Sequence, residues 1–256
     1  MYTNLSDGIS DSDQLQVTVD KRFSQKFALR GAYTWSKTID LSSGFRSRSS
    51  TYTDPIDHRL DRAVADFDVP QRLVISGIWE LPFDRHFQNG FVEKMAQGWQ
   101  ANGIATFQHG QPFTLYSENN SSGQNNALDR PDIVAPIQYE NPRKDGGMWF
   151  NPNSFNSIGP LNNDGTINPA GVPLFTFGTL PRNALWGPGI NNFDVSLIKN
   201  TKITESKMIQ FRAEFFNAFN HVQFLNPDND GNSDTFGQIS TDRGMRIIQF
   251  GLKLLF

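Results

Sequence analysis

No cysteine occurs among the 256 residues, which removes disulfides, thiolate metal sites and cysteine nucleophiles together. No apolar run approaches the ~20 residues that a membrane helix requires. The two signs of charge nearly balance: 23 Lys and Arg against 26 Asp and Glu leave a net charge of −3. No global field therefore draws the chain to nucleic acid. The opening stretch "MYTNLSDGISDSDQLQVTV" has no basic region followed by an apolar core, so it reads as lacking a signal peptide. GxSxG, HExxH and the P-loop are missing, and His58, His86, His109 and His221 stand without a nucleophile motif. The expectation is a non-enzyme that carries no cofactor.

What the chain does have is phenylalanine, 22 of them, within an aromatic content of 12%. Their spacing is informative. In the closing stretch "RIIQFGLKLLF", Ile248, Phe250, Leu252, Leu254 and Phe256 stand two apart, with Gln249, Gly251 and Lys253 between them. A strand puts such residues on opposite faces, one apolar and one polar. The same alternation runs through Leu15, Val17 and Val19; through Phe27, Leu29, Gly31, Tyr33 and Trp35; and through Leu73, Ile75, Gly77, Trp79 and Leu81. It recurs in Trp99, Ala101, Gly103, Ala105 and Phe107; in Phe193, Val195 and Leu197; and in Ile209, Phe211, Ala213, Phe215 and Phe219. About seven antiparallel strands are expected, with a helical turn at "FVEKMAQ".

Strands with one greasy and one wet face suit a membrane barrel or the wall of a soluble sandwich. The connections favour the barrel. They run short, long, moderate, long, short, long, and one side of an outer-membrane barrel carries short turns while the other carries long loops. The segment from Glu118 to Gly189, dense in Asn, Pro and Gly, is too long for a structureless connection in a compact soluble domain. With the long loops outside, Trp79 and Trp99 fall near the short-turn rim, and Tyr33, Trp35, Phe107 and Phe219 near the long-loop rim, as two aromatic girdles. Asp20, Arg30, Arg72, Glu80, Asp194, Arg212 and Glu214 then face the lumen, where charges pair across strands, contact a plug or line a substrate path.

The blocks "DHRLDRAVADFDVPQRLVISGIWELPF", "GWQANGIATFQHGQPFTL", "RNALWGPGINNFDVSLIKNTKI", "QFRAEFFNAFNHVQF" and "IIQFGLKLLF", in this order, resemble the C-terminal barrel portion of TonB-dependent outer-membrane transporters, in particular the Oar-like group. The resemblance covers nearly the whole chain. It implies an all-β fold in which residues 1–256 form part of a larger barrel of about 22 strands. Ligand uptake through the cell outer membrane is implied too. The partners would be outer-membrane lipid, the barrel-assembly machinery, an unidentified ligand, and TonB through an N-terminal region and plug that this chain does not contain. The alternating Ile248, Phe250, Leu252, Leu254 and Phe256 are similar to the tag by which barrel-assembly machinery recognises its clients. The rival expectations are a passive structural or adhesive barrel, and a soluble carbohydrate-binding β-sandwich.

Two loops carry groups capable of chemistry. "DHRLDRAVADFD" gathers Asp57, His58, Arg59, Asp61, Arg62, Asp66 and Asp68, either as a metal or ligand site or as a salt-bridged loop folded at the barrel mouth. The second reading is preferred, because these residues lack strand or helix spacing. "DNDGNSD" sets Asp228, Asp230 and Asp234 around Gly231, a partial calcium-loop pattern without the distal glutamate. Tight surface turns use the same residues.

Overall fold

The computed structural model describes residues 8–24, 26–43, 52–54, 56–85, 90–117, 119–124 and 129–256. Seven long strands form one sheet: β1 (Ser10–Ser24), β2 (Phe27–Asp40), β3 (Gln71–Glu80), β4 (Trp99–Gln108), β5 (Ile190–Lys202), β6 (Met208–Phe216) and β7 (Ile247–Leu255). Each pairs antiparallel with the next in chain order, and a two-residue strand, Ala63–Val64, adds to the end of β2. β1 and β7 do not meet, so the sheet is open. No helix among the described residues is long and apolar enough to cross a membrane, which leaves strands that cross untouched.

The register explains why the alternating residues matter. Leu15 lies opposite Trp35, Tyr33 opposite Leu73, Leu73 opposite Phe107, Ala105 opposite Phe193, Val195 opposite Phe215, and Phe215 opposite Ile248. Because side-chain direction alternates with a period of two, these pairings carry every apolar row onto one continuous face. The other face collects Gln16, Thr34, Arg72, Gln108, Asn192 and Gln249 on their respective strands. A recess of about 620 Å³ lined by Arg30, Ser76, Ile78, Asn102 and Ile104 opens on that polar face. The recess thus lies on the polar face, and the apolar rows lie on the opposite one.

A second sheet packed face to face against the first, as a sandwich requires, does not occur among the described residues. The sandwich expectation is corrected on that ground. Strand ends also differ from the sequence pattern. Phe219 lies beyond β6, because Asn217 turns the backbone to a φ of 51° and the strand ends at Phe216. Its ring still packs edge-on against Phe193 at 5.0 Å, and Phe193 packs on Phe107 at 5.5 Å.

The short connections, from β1 to β2 and from β5 to β6, join strands at one rim of the sheet, and the long ones, from β2 to β3 (41–70), β4 to β5 (109–189) and β6 to β7 (217–246), join them at the other. Lys26 adopts a φ of 68°, the left-handed backbone that a two-residue hairpin turn uses. The moderate connection, 81–98, carries a short helix, α1 (Gly90–Ala96), at the short-turn rim.

The long connection between β4 and β5, which contains the Glu118–Gly189 segment, has little regular secondary structure and yet has a packed interior. Phe113, Leu115, Phe150, Phe155, Leu180 and Leu185 form a buried cluster, with Ile137, Trp149, Ala184 and Phe236 against it. Phe236 comes from the connection 217–246, as do the partners of two bridges, Tyr116 with Asp230 and Met148 with Gln238. The long connections thus share a core and make a folded layer at one rim.

Candidate functional site

The loop layer is fixed to the sheet by buried charge. Arg182 donates from Nε to the Asp61 carbonyl at 2.9 Å, from Nη1 to Ser43 Oγ at 3.1 Å and Asp66 Oδ1 at 3.2 Å, and from Nη2 to the Asp40 carbonyl at 3.1 Å and to Asp40 Oδ1. All five guanidinium N–H groups are used. Arg130 donates to Asp61 Oδ1 and to the Leu60 carbonyl, each at 3.3 Å. Asp61 also accepts from the Thr53 amide at 2.7 Å and the Thr53 hydroxyl at 2.6 Å. Asn183 adds bonds from Nδ2 to the Val64 carbonyl at 2.7 Å and Asp66 Oδ1 at 2.5 Å.

Local structure presents these groups. The 3-10 turn His58–Asp61 delivers Asp61 inward, and the Ala63–Val64 pairing with Ile39–Asp40 holds Asp66 beside the end of β2. Opposite them, Gly178 has a φ of 75°, and a Cβ there would strike the Arg130 carbonyl. Only glycine allows that approach, which sets Arg130 in place.

Environment shifts the ionisations in opposite directions. Burial lowers Arg130, and the neighbouring Asp61 carboxylate opposes it. Burial raises Asp68, partly offset by the Thr38 and Val69 amides. At the exposed edge, the Arg59 side chain, and then its amide, hold Asp57 down to about 2.

The "DHRLDRAVADFD" residues therefore divide. Asp61 and Asp66 join the arginine network, Asp68 accepts from the Thr38 amide at 3.0 Å, and Asp57 pairs locally with Arg59 at 2.7 Å. Arg62 reaches Asp11 at 3.5 Å. His58 stacks on Tyr52. Asp228 accepts from the Asp230 amide at 3.1 Å and the Thr235 hydroxyl at 2.6 Å, and Asp230 accepts from the Asn232 amide at 2.9 Å. Asp234 is exposed. Among the described residues, no three His, Cys, Asp or Glu side chains converge as a cation site needs.

On the polar face, Asp20 and Arg30 are direct partners in register and pair at 3.4 Å. Asp194 accepts from Asn192 Nδ2 at 3.0 Å and from the Asn217 amide at 2.9 Å. Arg72, Glu80, Arg212 and Glu214 make no ion pair with described residues. Of the aromatics, Trp79 lies opposite Phe27, and Trp99 opens β4 at the short-turn rim. Tyr33, Trp35, Phe107 and Phe219 lie toward the long connections. Ile248, Phe250, Leu252 and Leu254 are exposed on β7, and Phe256 follows it. His86 lies outside the described residues.

An open antiparallel sheet with one apolar face, one polar face and a folded loop layer at one rim suits the wall of a barrel that faces lipid. Residues 1–249 match the family described as outer membrane beta barrel domain. The chain belongs to that family. Its place is the outer membrane, with the apolar rows toward lipid. Neither a curated protein nor a solved structure matches it.

Pattern reading missed the groups that fasten this outer-membrane domain's loop layer: Arg130, Arg182, Asn183, Thr53 and Asp40. A signal was present in composition. The four aspartates of 57–68 exceed the two arginines of the same stretch, Arg59 and Arg62, and "RPD" and "PRNA" carry further arginines.

Proposed function

We propose that this domain supplies wall and extracellular loops to a TonB-dependent transporter of the Oar-like group, with a non-enzymatic role in ligand uptake. The supporting observation is the loop layer, which is ordered by its own core and held at the barrel mouth by buried arginines. A receptor needs such a surface, since a preordered one loses less entropy on capturing a ligand. Ligand would bind to the outer loops, and energy passed through TonB would displace a plug so that the ligand enters past the polar face. The plug and the TonB-contacting region lie in other parts of the assembly. Assembly by the barrel-assembly machinery through the β7 residues belongs to the same reading.

The test compares cells carrying the intact gene with cells lacking it, each with and without TonB. Depletion of a mixture of siderophores, oligosaccharides and peptides from the medium is followed. Loss of one compound that requires both the gene and TonB is the expected result. Depletion that persists without TonB would mean a passive barrel, and retention at the cell surface without depletion would mean an adhesive one; either result sinks coupled uptake.

A further inference from the structure

Lys199 breaks the apolar row of β5. It follows Phe193, Val195 and Leu197 at the same spacing, and it lies between Trp99 and Phe211 on the outer face. An ammonium on the lipid side is expensive unless it finds acceptors. Lys199 finds them in the moderate connection: its Nζ donates to the Lys94 carbonyl at 2.9 Å and to the Gln97 carbonyl, and it is only 7% exposed. Trp99 Nε1, from the same outer face, donates to the Met95 carbonyl at 2.9 Å. Both side chains therefore hold the C-terminal end of α1 against the outside of the wall, at the short-turn rim.

The helix held there is not covered by protein. Val92 is 53% exposed and Met95 54%, and Phe83 in the preceding turn is 44% exposed. Met95 is tied to Trp99, the first residue of β4, so these exposed apolar side chains belong to the segment that adjoins the short-turn end of the outer rows. Those rows face lipid in this family, and an aromatic rim marks the level of the headgroups.

We infer that α1 is an in-plane membrane anchor, fastened by Lys199 and Trp99 and inserting Phe83, Val92 and Met95 into the periplasmic leaflet of the outer membrane. Short turns face the periplasm in such barrels, and short amphipathic helices lie in the interface with the apolar side down. The inference rests on the family's membrane location, not on the transport reading.

The chain has no cysteine, so single nitroxide labels can be placed without background from it. The labels go at Val92→Cys, Met95→Cys, Glu93→Cys and, on the wall, Leu252→Cys, in the whole protein in isolated outer membranes. Accessibility to oxygen, which concentrates in lipid, is compared with accessibility to a water-soluble nickel chelate. Val92→Cys and Met95→Cys are expected to lose nickel access and match Leu252→Cys, while Glu93→Cys keeps it. Nickel access at 92 and 95 equal to that at 93 would overturn the anchor. Adding Lys199→Met should restore nickel access at 92 and narrow its spectrum, with Leu252→Cys unchanged. The milder Trp99→Phe, which removes only the Nε1 donor, should narrow the same spectrum by a smaller amount. An unchanged spectrum at 92 in both variants would overturn the fastening role of Lys199 and Trp99.

Discussion

The sheet and the loop layer are built on opposite plans from one chain. The sheet has seven long strands with exposed side chains on both faces, and its order comes from strand-to-strand pairing. Lipid contributes to the outer face, where every backbone group must be satisfied within the wall. The loop layer holds the main buried apolar cluster among the described residues, and it takes aspartates and arginines out of water in pairs. It folds as a soluble domain does, with burial as the driving force. The sheet thus carries, at one rim, a layer with a buried core of its own, and each part should fail in its own way.

The largest effect is expected at Arg182. Arg182→Ala leaves Asp40 and Asp66 facing one another without their cation, and breaking a buried pair in this manner costs about 3–5 kcal/mol. Protease added to intact cells should cut within 41–70 and 109–189, while the wall stays in the membrane. Phe150→Ala removes the centre of the aromatic cluster, where Phe155 and Phe236 pack at 5.5 and 5.2 Å. A loss of about 3–5 kcal/mol in the layer follows, read as faster hydrogen exchange there. Phe211→Ala on the lipid face should cost less, since lipid refills the gap.

Gly178→Ala comes next. A left-handed φ costs an ordinary residue about 1–2 kcal/mol, and the added Cβ displaces the Arg130 carbonyl as well. The effect should appear in the layer's exchange rates and not in the sheet's. The smallest effect should come from Arg30→Ala. The Arg30–Asp20 pair is 65% and 57% exposed, against 6% and 3% for Arg182–Asp40, and exposed pairs contribute at most about 1 kcal/mol. Equal losses at Arg30 and Arg182 would erase the distinction between the two regions.

Acidity offers a finer test at Asp68, whose folded ionisation is raised by burial. A raised carboxyl favours the folded layer at low pH, and that contribution is lost as pH rises through the folded value. Asp68→Asn, which keeps an acceptor for the Thr38 amide, should therefore stabilise the layer at neutral pH. The gain should vanish in acid, where the aspartate is already neutral. A gain that persists in acid would mean that ionisation is not its source.

The two plans were not equally legible in the sequence. A period of two is local, so the seven rows of alternating residues and the faces they occupy could be read from "QRLVISGIWE" or "IIQFGLKLL" alone. Strand order followed because neighbours in the chain are neighbours in the sheet. The loop layer has no such period. Phe113, Phe150 and Leu180 meet from far apart in the chain, and Arg182 reaches Asp40 across 142 residues. Composition showed only turn formers where the structure has a core. Asp61 and Asp66 were singled out with their neighbours, but their partners were not, because an arginine in a Pro- and Asn-rich stretch reads as a solvated loop. The row Phe193, Val195 and Leu197 reads in the sequence only as far as Leu197, and the fold shows that Lys199 is its next member, with acceptors at Lys94 and Gln97.

One consequence of the antiparallel order concerns closure. After six reversals of direction, β1 and β7 climb the wall the same way. A neighbour that runs against both of them must therefore both begin and end the arc that joins them. Such an arc contains an odd number of strands, wherever it comes from. Two copies of this sheet set side by side in one membrane orientation would meet with parallel edges at both seams, whereas every pairing between neighbouring long strands within the sheet is antiparallel.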